Sequence, residues 1–336
     1  MRAIFLTLLF LISSSFSLQE RLASAQAGDF VVTNQNKTFT LLLIRSNENG
    51  RLVLEEISIP QEARKKVALP WREWIQKNAP LHSSWLSFEI DLGKGDILQC
   101  YSYDENRWIQ IPESENFFST LLHLPLSLLP NEARKRLGPP PLQGEVDRRS
   151  FWIPPLVIDG RPQEKKEFDV FEAKWPEDES ELSSKRLELY FDRIGISPFP
   201  FWMEVDTGHL SLVLRGVDMG KQLTSLQKEL PPSLPRFVGK ETMGKKELLL
   251  FVHSPSFYRT FSLFAVDASN KKELIPLSFS LKSEKNIYTL SIPLKVLEKN
   301  LQKEHLYFWV LVPEKKEELS AFSKLPFLWG AIQEPK

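Results

Sequence analysis

A mainly β protein is expected from this chain: an antiparallel β-rich N-terminal region with a few short helices, then a C-terminal immunoglobulin-like β-sandwich. Short apolar or alternating runs recur throughout, separated by polar turn residues. Asn49-Gly50 supplies the positive φ that a tight hairpin needs. The 336 residues, 42% hydrophobic with nine Trp and 23 Phe, suffice for two cores at about 150 residues per domain.

At the N-terminus, Arg2, an apolar run over residues 3–12 and small residues ending in Ala25-Gln26-Ala27 have the pattern of a secretory leader. Residues 1–27 are therefore read as a signal peptide, with a cut after Ala27 and, as the alternative, after Ser17. The run is too short for a membrane span, which needs about 18 to 20 apolar residues. With 43 basic against 43 acidic residues, nothing global attracts nucleic acid. Cys100 is the only cysteine, so no intramolecular disulfide can form, and its apolar run reads as a buried thiol.

The apolar runs between residues 39 and 59 form the hairpin around Asn49-Gly50. Residues 60–80 change to helical period in two pieces broken by Pro70, with Trp71, Trp74 and Ile75 on one face. A second hairpin sets residues 85–91 or 97–103 against 108–111, turning at 104–106. Residues 117–129 read as a buried helix and connector. The run from Pro130 to Lys135 echoes that from Pro60 to Lys65, a likeness of two helix starts rather than a duplication.

The segment 138–149, with three consecutive prolines, is an extended loop and a candidate sub-boundary. Strands follow at 151–158, 168–175, 186–192, 201–205 and 209–215. A Pro-rich stretch near residue 230 separates the region 28–230 from the sandwich, 231–336. Its strands fall at 247–253, 260–267, 275–281, 286–293, 305–313 and 325–329, without the cysteine pair of antibody domains. Lys-Lys-Glu triplets starting at Lys245, Lys271 and Lys315 read as solvated strand borders.

Motifs carrying chemistry are few. Asp206-Thr207-Gly208 is similar to the active-site turn of retropepsin-like aspartic proteases, which implies Asp206 as half of a carboxylate dyad completed by a dimer mate. His209 departs from that pattern, and an Asx turn between strands accounts for the same residues. Glu204 and Asp206, two apart on a strand, place carboxylates about 6 to 7 Å apart on one face, a spacing to test for glycan hydrolysis. Gly216 to Lys221 misses the phosphate-loop spacing and reads as a loop leaving a β-module. The five histidines are scattered and the acidic run around Asp178 lacks the glycine of a calcium loop, so no metal or cofactor is expected. Trp175, Tyr190, Phe199 and Trp202, with Phe201, either stack on a ligand or fill the core.

Trp175-Pro176 with the following acidic segment, the Phe199-Pro200-Phe201-Trp202 cluster and the Arg215 to Asp218 stretch resemble a set of uncharacterised exported proteins of intracellular Gram-negative bacteria. The likeness covers residues 151–221 and extends toward the sandwich. It implies export and modularity but no activity. The expectation is an exported, non-catalytic envelope or periplasmic binding or adaptor protein recognising a protein or peptide, with Trp175, Tyr190, Phe199 and Trp202 as binding residues. The alternative is a hydrolase using Asp206 with Glu204 or a dimer mate.

Overall fold

A computed structural model describes residues 17–109, 119–178, 180–206, 211–227, 235–239, 241–254, 258–270, 273–313, 321–323 and 326–330. The chain divides into two compact units, residues 1–228 and 229–336. Both are built mostly from antiparallel strands.

The first unit opens with helix α1 (Leu18–Ala23), inside the stretch read as a leader. Ser17 and Glu20 form a reciprocal capping box, and Leu18 and Leu22 are buried. Six strands then run as a meander: β1 (Phe30–Gln35), β2 (Thr38–Glu48), β3 (Arg51–Pro60), β4 (Ser84–Asp91), β5 (Asp96–Ser102) and β6 (Arg107–Ile109). The β2–β3 turn is the expected one, with Asn49 at φ 53° and Gly50 at φ 74°. A second meander comprises β10 (Phe168–Lys174), β11 (Arg186–Asp192), β12 (Trp202–Asp206) and β13 (Ser211–Gly220), with the short β7 (Ser127–Leu128) on its outer edge. Pairing of β1 with β13 joins the meanders into one eleven-stranded sheet, ordered β6-β5-β4-β3-β2-β1-β13-β12-β11-β10-β7. A separate small hairpin pairs β8 (Val157–Ile158) with β9 (Arg161–Pro162).

Alternation places apolar residues on both faces. Phe30, Val32, Leu41, Leu43, Ile57 and Ile59 form one core with Trp74, Ile75 and Trp85. Helices α2 (Gln61–Val67) and α3 (Trp71–Gln76), parted at Pro70 as expected, supply Trp74 and Ile75. Val31, Ile44, Leu52 and Leu54 belong to a larger core that includes α1 and much of the second meander. Cys100 lies in this core, where burial and then Glu56 push its thiol up to about 12, so it is not a thiolate.

Three expectations are corrected. Residues 151–158 are not a continuous strand: only Val157–Ile158 pairs regularly, because Pro154 and Pro155 remove the donors a ladder needs. Residues 216–220 continue β13 rather than leaving the sheet as a loop. Val217 is the extra residue of a bulge, since Val32 pairs with Asp218 and Thr33 with Gly216. Residues 275–281 divide into β18 (Ile275–Leu277) and β19 (Ser280–Glu284), which lie in different sheets.

The second unit has two antiparallel sheets. One contains β14 (Arg236–Phe237), β16 (Glu247–His253), β20 (Ile287–Pro293) and β19 in the order β14-β16-β20-β19, with β15 (Thr242–Met243) also on β16. The other is ordered β18-β17-β21-β22, from β17 (Phe261–Asp267), β21 (Leu306–Pro313) and β22 (Ala321–Phe322), with β23 (Phe327–Leu328) on β21. Leu248, Leu250, Leu290 and Ile292 of the first share one core with Leu263, Ala265, Tyr307 and Trp309 of the second. Helix α4 (Leu294–Asn300) connects β20 to β21, and the Tyr307 hydroxyl accepts from the Gln302 N–H at 2.9 Å.

Candidate interaction face on the second meander

Register brings together residues far apart in sequence. Glu172 of β10 pairs with Glu188 of β11, and Glu188 with Glu204 of β12, so three carboxylates cross the sheet on one face. Directly opposed side chains sit with Cβ atoms about 4.5 to 5.5 Å apart, a repulsive arrangement unless cations intervene. Arg186 reaches both Glu172 and Glu188 at 3.1 Å, and Lys135 reaches Glu204 at 3.3 Å. These ion pairs are partly solvated, with Glu188 and Glu204 side chains 23% exposed.

Two residues along and on the same face, Tyr190 pairs with Trp202 and Trp202 with Arg215. Trp152 packs edge-on against both aromatics, at 5.4 Å from Tyr190 and 5.1 Å from Trp202. Lys135 Nζ lies 5.0 Å over the Trp152 ring, and the Arg215 guanidinium 5.8 Å over Trp202. The Tyr190 hydroxyl donates to Glu188 at 3.2 Å; burial first and then Glu188 raise its pKa. Trp202 is half-buried, and its Nε1 is enclosed without a hydrogen-bond partner among the described residues.

The loop containing the three prolines positions Trp152 and Lys135. Leu137 N–H donates to Ser150 O and Trp152 N–H to Lys135 O, at 2.9 and 2.8 Å, closing the loop as a short two-stranded tie. Phe151 sits between the Arg134 and Arg136 guanidiniums at 4.6 and 4.5 Å. Asp147 chelates Arg149, whose hydrogen bonds hold the Asp147 carboxyl down to about 2.

Of the sequence-predicted binding residues, Tyr190 and Trp202 adjoin, but only Trp202 is partly exposed, since Tyr190 at 2% exposure belongs to the core beneath it. Trp175 and Phe199 are likewise packed in the core at 2% and 5% exposure, and Trp175 Nε1 donates to Asp178 at 2.8 Å. Glu204 stands opposite Glu188 and beside Lys135. Thr207, Gly208 and the Asp206 side chain lie outside the described residues, so the protease-like turn has no described geometry. Two depressions of about 420 and 430 Å³ lie elsewhere, one beside Trp71 and Arg64, the other against α1. Among the described residues, no three His, Cys, Asp or Glu side chains cluster as metal ligands. Trp152, Lys135, Glu172 and Glu188 escaped sequence reasoning because only strand register assembles them. The one available signal was the equal sequence spacing of Glu172, Glu188 and Glu204.

A buried acid braces the seam beside this meander. Asp218 Oδ1 accepts from Gly160 N–H at 3.0 Å and Met219 N–H at 2.9 Å. Arg72 of α3 donates to Asp159 at 2.9 Å and to the carbonyls of Lys221 and Gln222. Burial pushes the Asp218 carboxyl up to about 6, with Asp159 adding to the rise and the two amide donors and Arg72 opposing it. A folded-state pKa above the unfolded value means a contribution fully present below about pH 4 and lost as pH rises through about 6. Asp218→Asn is expected to remove this dependence. Melting temperatures measured from pH 4 to 8 should show wild type falling relative to the variant across that window; parallel curves would contradict the assignment.

A family model described as CT021 protein matches residues 40–164, from β2 to just past β9. A solved structure of the hypothetical protein CT021 from Chlamydia trachomatis is similar with a TM-score of 0.51 and 22% identity. The match covers 66% of this chain and 100% of that one. At this identity the likeness is one of fold. No curated protein matches the chain.

Proposed function

We propose that the protein is an exported, non-catalytic envelope or periplasmic binding protein that recognises a protein or peptide segment through the Trp152–Trp202 face. The observation carrying this reading is the partly exposed surface on which two tryptophans adjoin three carboxylates paired with Lys135 and Arg186. Aromatic rings offer contact area at low entropic cost, and flanking charges set orientation and encounter rate. The leader-like composition of the first residues supports export.

An immunoglobulin-like second unit fits the same reading. Lettered in chain order, its sheets have the A-B-E-D and C′-C-F-G strand orders. The Tyr307 to Gln302 hydrogen bond at the start of β21 has the form of a tyrosine corner. Such modules commonly serve recognition, a likeness of architecture rather than of site.

Crosslinking of the tagged protein in its native envelope tests the proposal. Wild type is expected to capture a defined protein partner, and the double variant Lys135→Glu, Glu172→Lys to capture about tenfold less, or about 1.4 kcal/mol. Recovery of bulk lipid alone, or equal capture by the variant, would overturn it. Turnover of a peptide or glycan abolished by Glu204→Gln would favour the hydrolase instead.

A further inference from the structure

We propose that leader removal hydrolyses the Ser15–Phe16 bond, upstream of α1, and leaves that helix as a permanent part of the mature domain. The inference rests on the export reading and assigns its processing site. The residues just before Gly28 have the composition of a cleavage site, yet cutting there would delete a segment integrated into the sheet. Leu18 and Leu22 are 3% and 1% exposed within the larger core. Asn47 of β2 donates through Nδ2 to the carbonyls of Leu22, Ala23 and Ala25 at 2.9, 3.1 and 3.0 Å, capping the helix C-terminus from the sheet. Arg21 lies 4.1 Å over the Phe191 ring of β11. Gly28 N–H donates to Ile44 O at 2.7 Å and Asp29 accepts from Gln26 N–H at 2.8 Å, so the backbone at the Ala27–Gly28 bond is tied on both sides.

A cut after Ala27 would therefore open the core and strip the Asn47 amide of its three carbonyl acceptors, whereas a cut before Ser17 costs no described contact. Two upstream bonds have small residues at both required positions: Ser15–Phe16, preceded by Ser13 and Ser15, and Ser17–Leu18, preceded by Ser15 and Ser17. The capping box decides between them. Ser17 Oγ accepts from Glu20 N–H at 3.2 Å and Ser17 N–H donates to Glu20 at 3.1 Å, and both bonds survive only when Ser17 remains. The reaction is hydrolysis by a membrane-bound leader peptidase: water supplies OH to the Ser15 carbonyl carbon and H to the released Phe16 amine.

The test is the N-terminus and intact mass of the full chain after expression in a Gram-negative host. A periplasmic product starting at Phe16 is expected. A start at Gly28, or at any other exported terminus, overturns the site while export stands; an intact chain confined to the cytosol fails the export reading itself. Ser15→Tyr provides a second arm that alters none of the described residues. Ser15 precedes one candidate bond directly and sits three residues before the other cut, so the variant is expected to accumulate uncut with less than about a tenth normal processing. Unchanged processing to Gly28 in Ser15→Tyr would overturn the inference.

Discussion

Glu55→Ala is expected to lower the unfolding free energy of the first unit by about 3–5 kcal/mol, the largest single-residue loss we predict. Glu55 projects from β3 with no solvent exposure, and its carboxylate accepts from Arg45, from Ser225 Oγ at 2.8 and 2.7 Å, and from Trp85 Nε1 at 3.3 Å. Removing it strands the Arg45 guanidinium, 12% exposed, with only the Tyr103 hydroxyl and the Gln227 carbonyl. An uncompensated buried charge is what makes breaking such a node costly, whatever the intact pair contributes. The segment carrying Ser225 and Gln227 should also loosen, because the Ser225 tether to β3 is lost and Leu223 with the Arg45 bond to the Gln227 carbonyl must hold it to the sheet. Urea titration measures the first effect and limited proteolysis between residues 222 and 227 the second. Glu55→Gln keeps an acceptor in place and should lose less; a Glu55→Ala loss below about 1 kcal/mol would mean that water reaches the node.

Gly216→Val is expected to cost about 3 kcal/mol or more by opening the seam of the sheet. Gly216 N–H donates to Phe201 O at 2.6 Å, and a Cβ on Gly216 would stand 2.2 Å from that same oxygen. Both atoms belong to backbone, so no rotamer change relieves the overlap, and β12 must separate from β13. Phe201, fully buried, would move with it. Denaturant unfolding reads the loss; a near-neutral variant would show that the two strands approach less closely than described here.

Features decided by neighbouring residues were legible in the chain. The Asn49-Gly50 hairpin, the helix break at Pro70 and the strands at 168–174, 186–192, 247–253 and 306–313 follow from turn chemistry and period-two alternation, which act over a few residues. The central strand β1 was missed. Its run Phe30-Val31-Val32 is short, directly follows a leader-like stretch, and turns through Asn36 and Lys37 at positive φ without a glycine. Helix α1, inside the stretch read as a leader, was not anticipated as an element, because its buried leucines show their partners only once β2 and β11 are in place.

The candidate face divides along the same line. Tyr190 and Trp202 were identifiable as large aromatics in one cluster, but their setting was not. Whether an aromatic is core or surface depends on what packs over it: Trp175, Tyr190 and Phe199 found full cover, while Trp202, beside Trp152 and Arg215, stays partly exposed. Local chemistry thus settled the β class, the hairpins and the solitary inert thiol, because propensity and patterning are properties of short segments. Tertiary structure alone decided the eleven-strand order through β1 and β13, the alignment of Glu172, Glu188 and Glu204, and the burial of Glu55 and Asp218. Each depends on register between segments distant in the chain, and pairing energy at that range is set by the whole sheet rather than by any residue's neighbours.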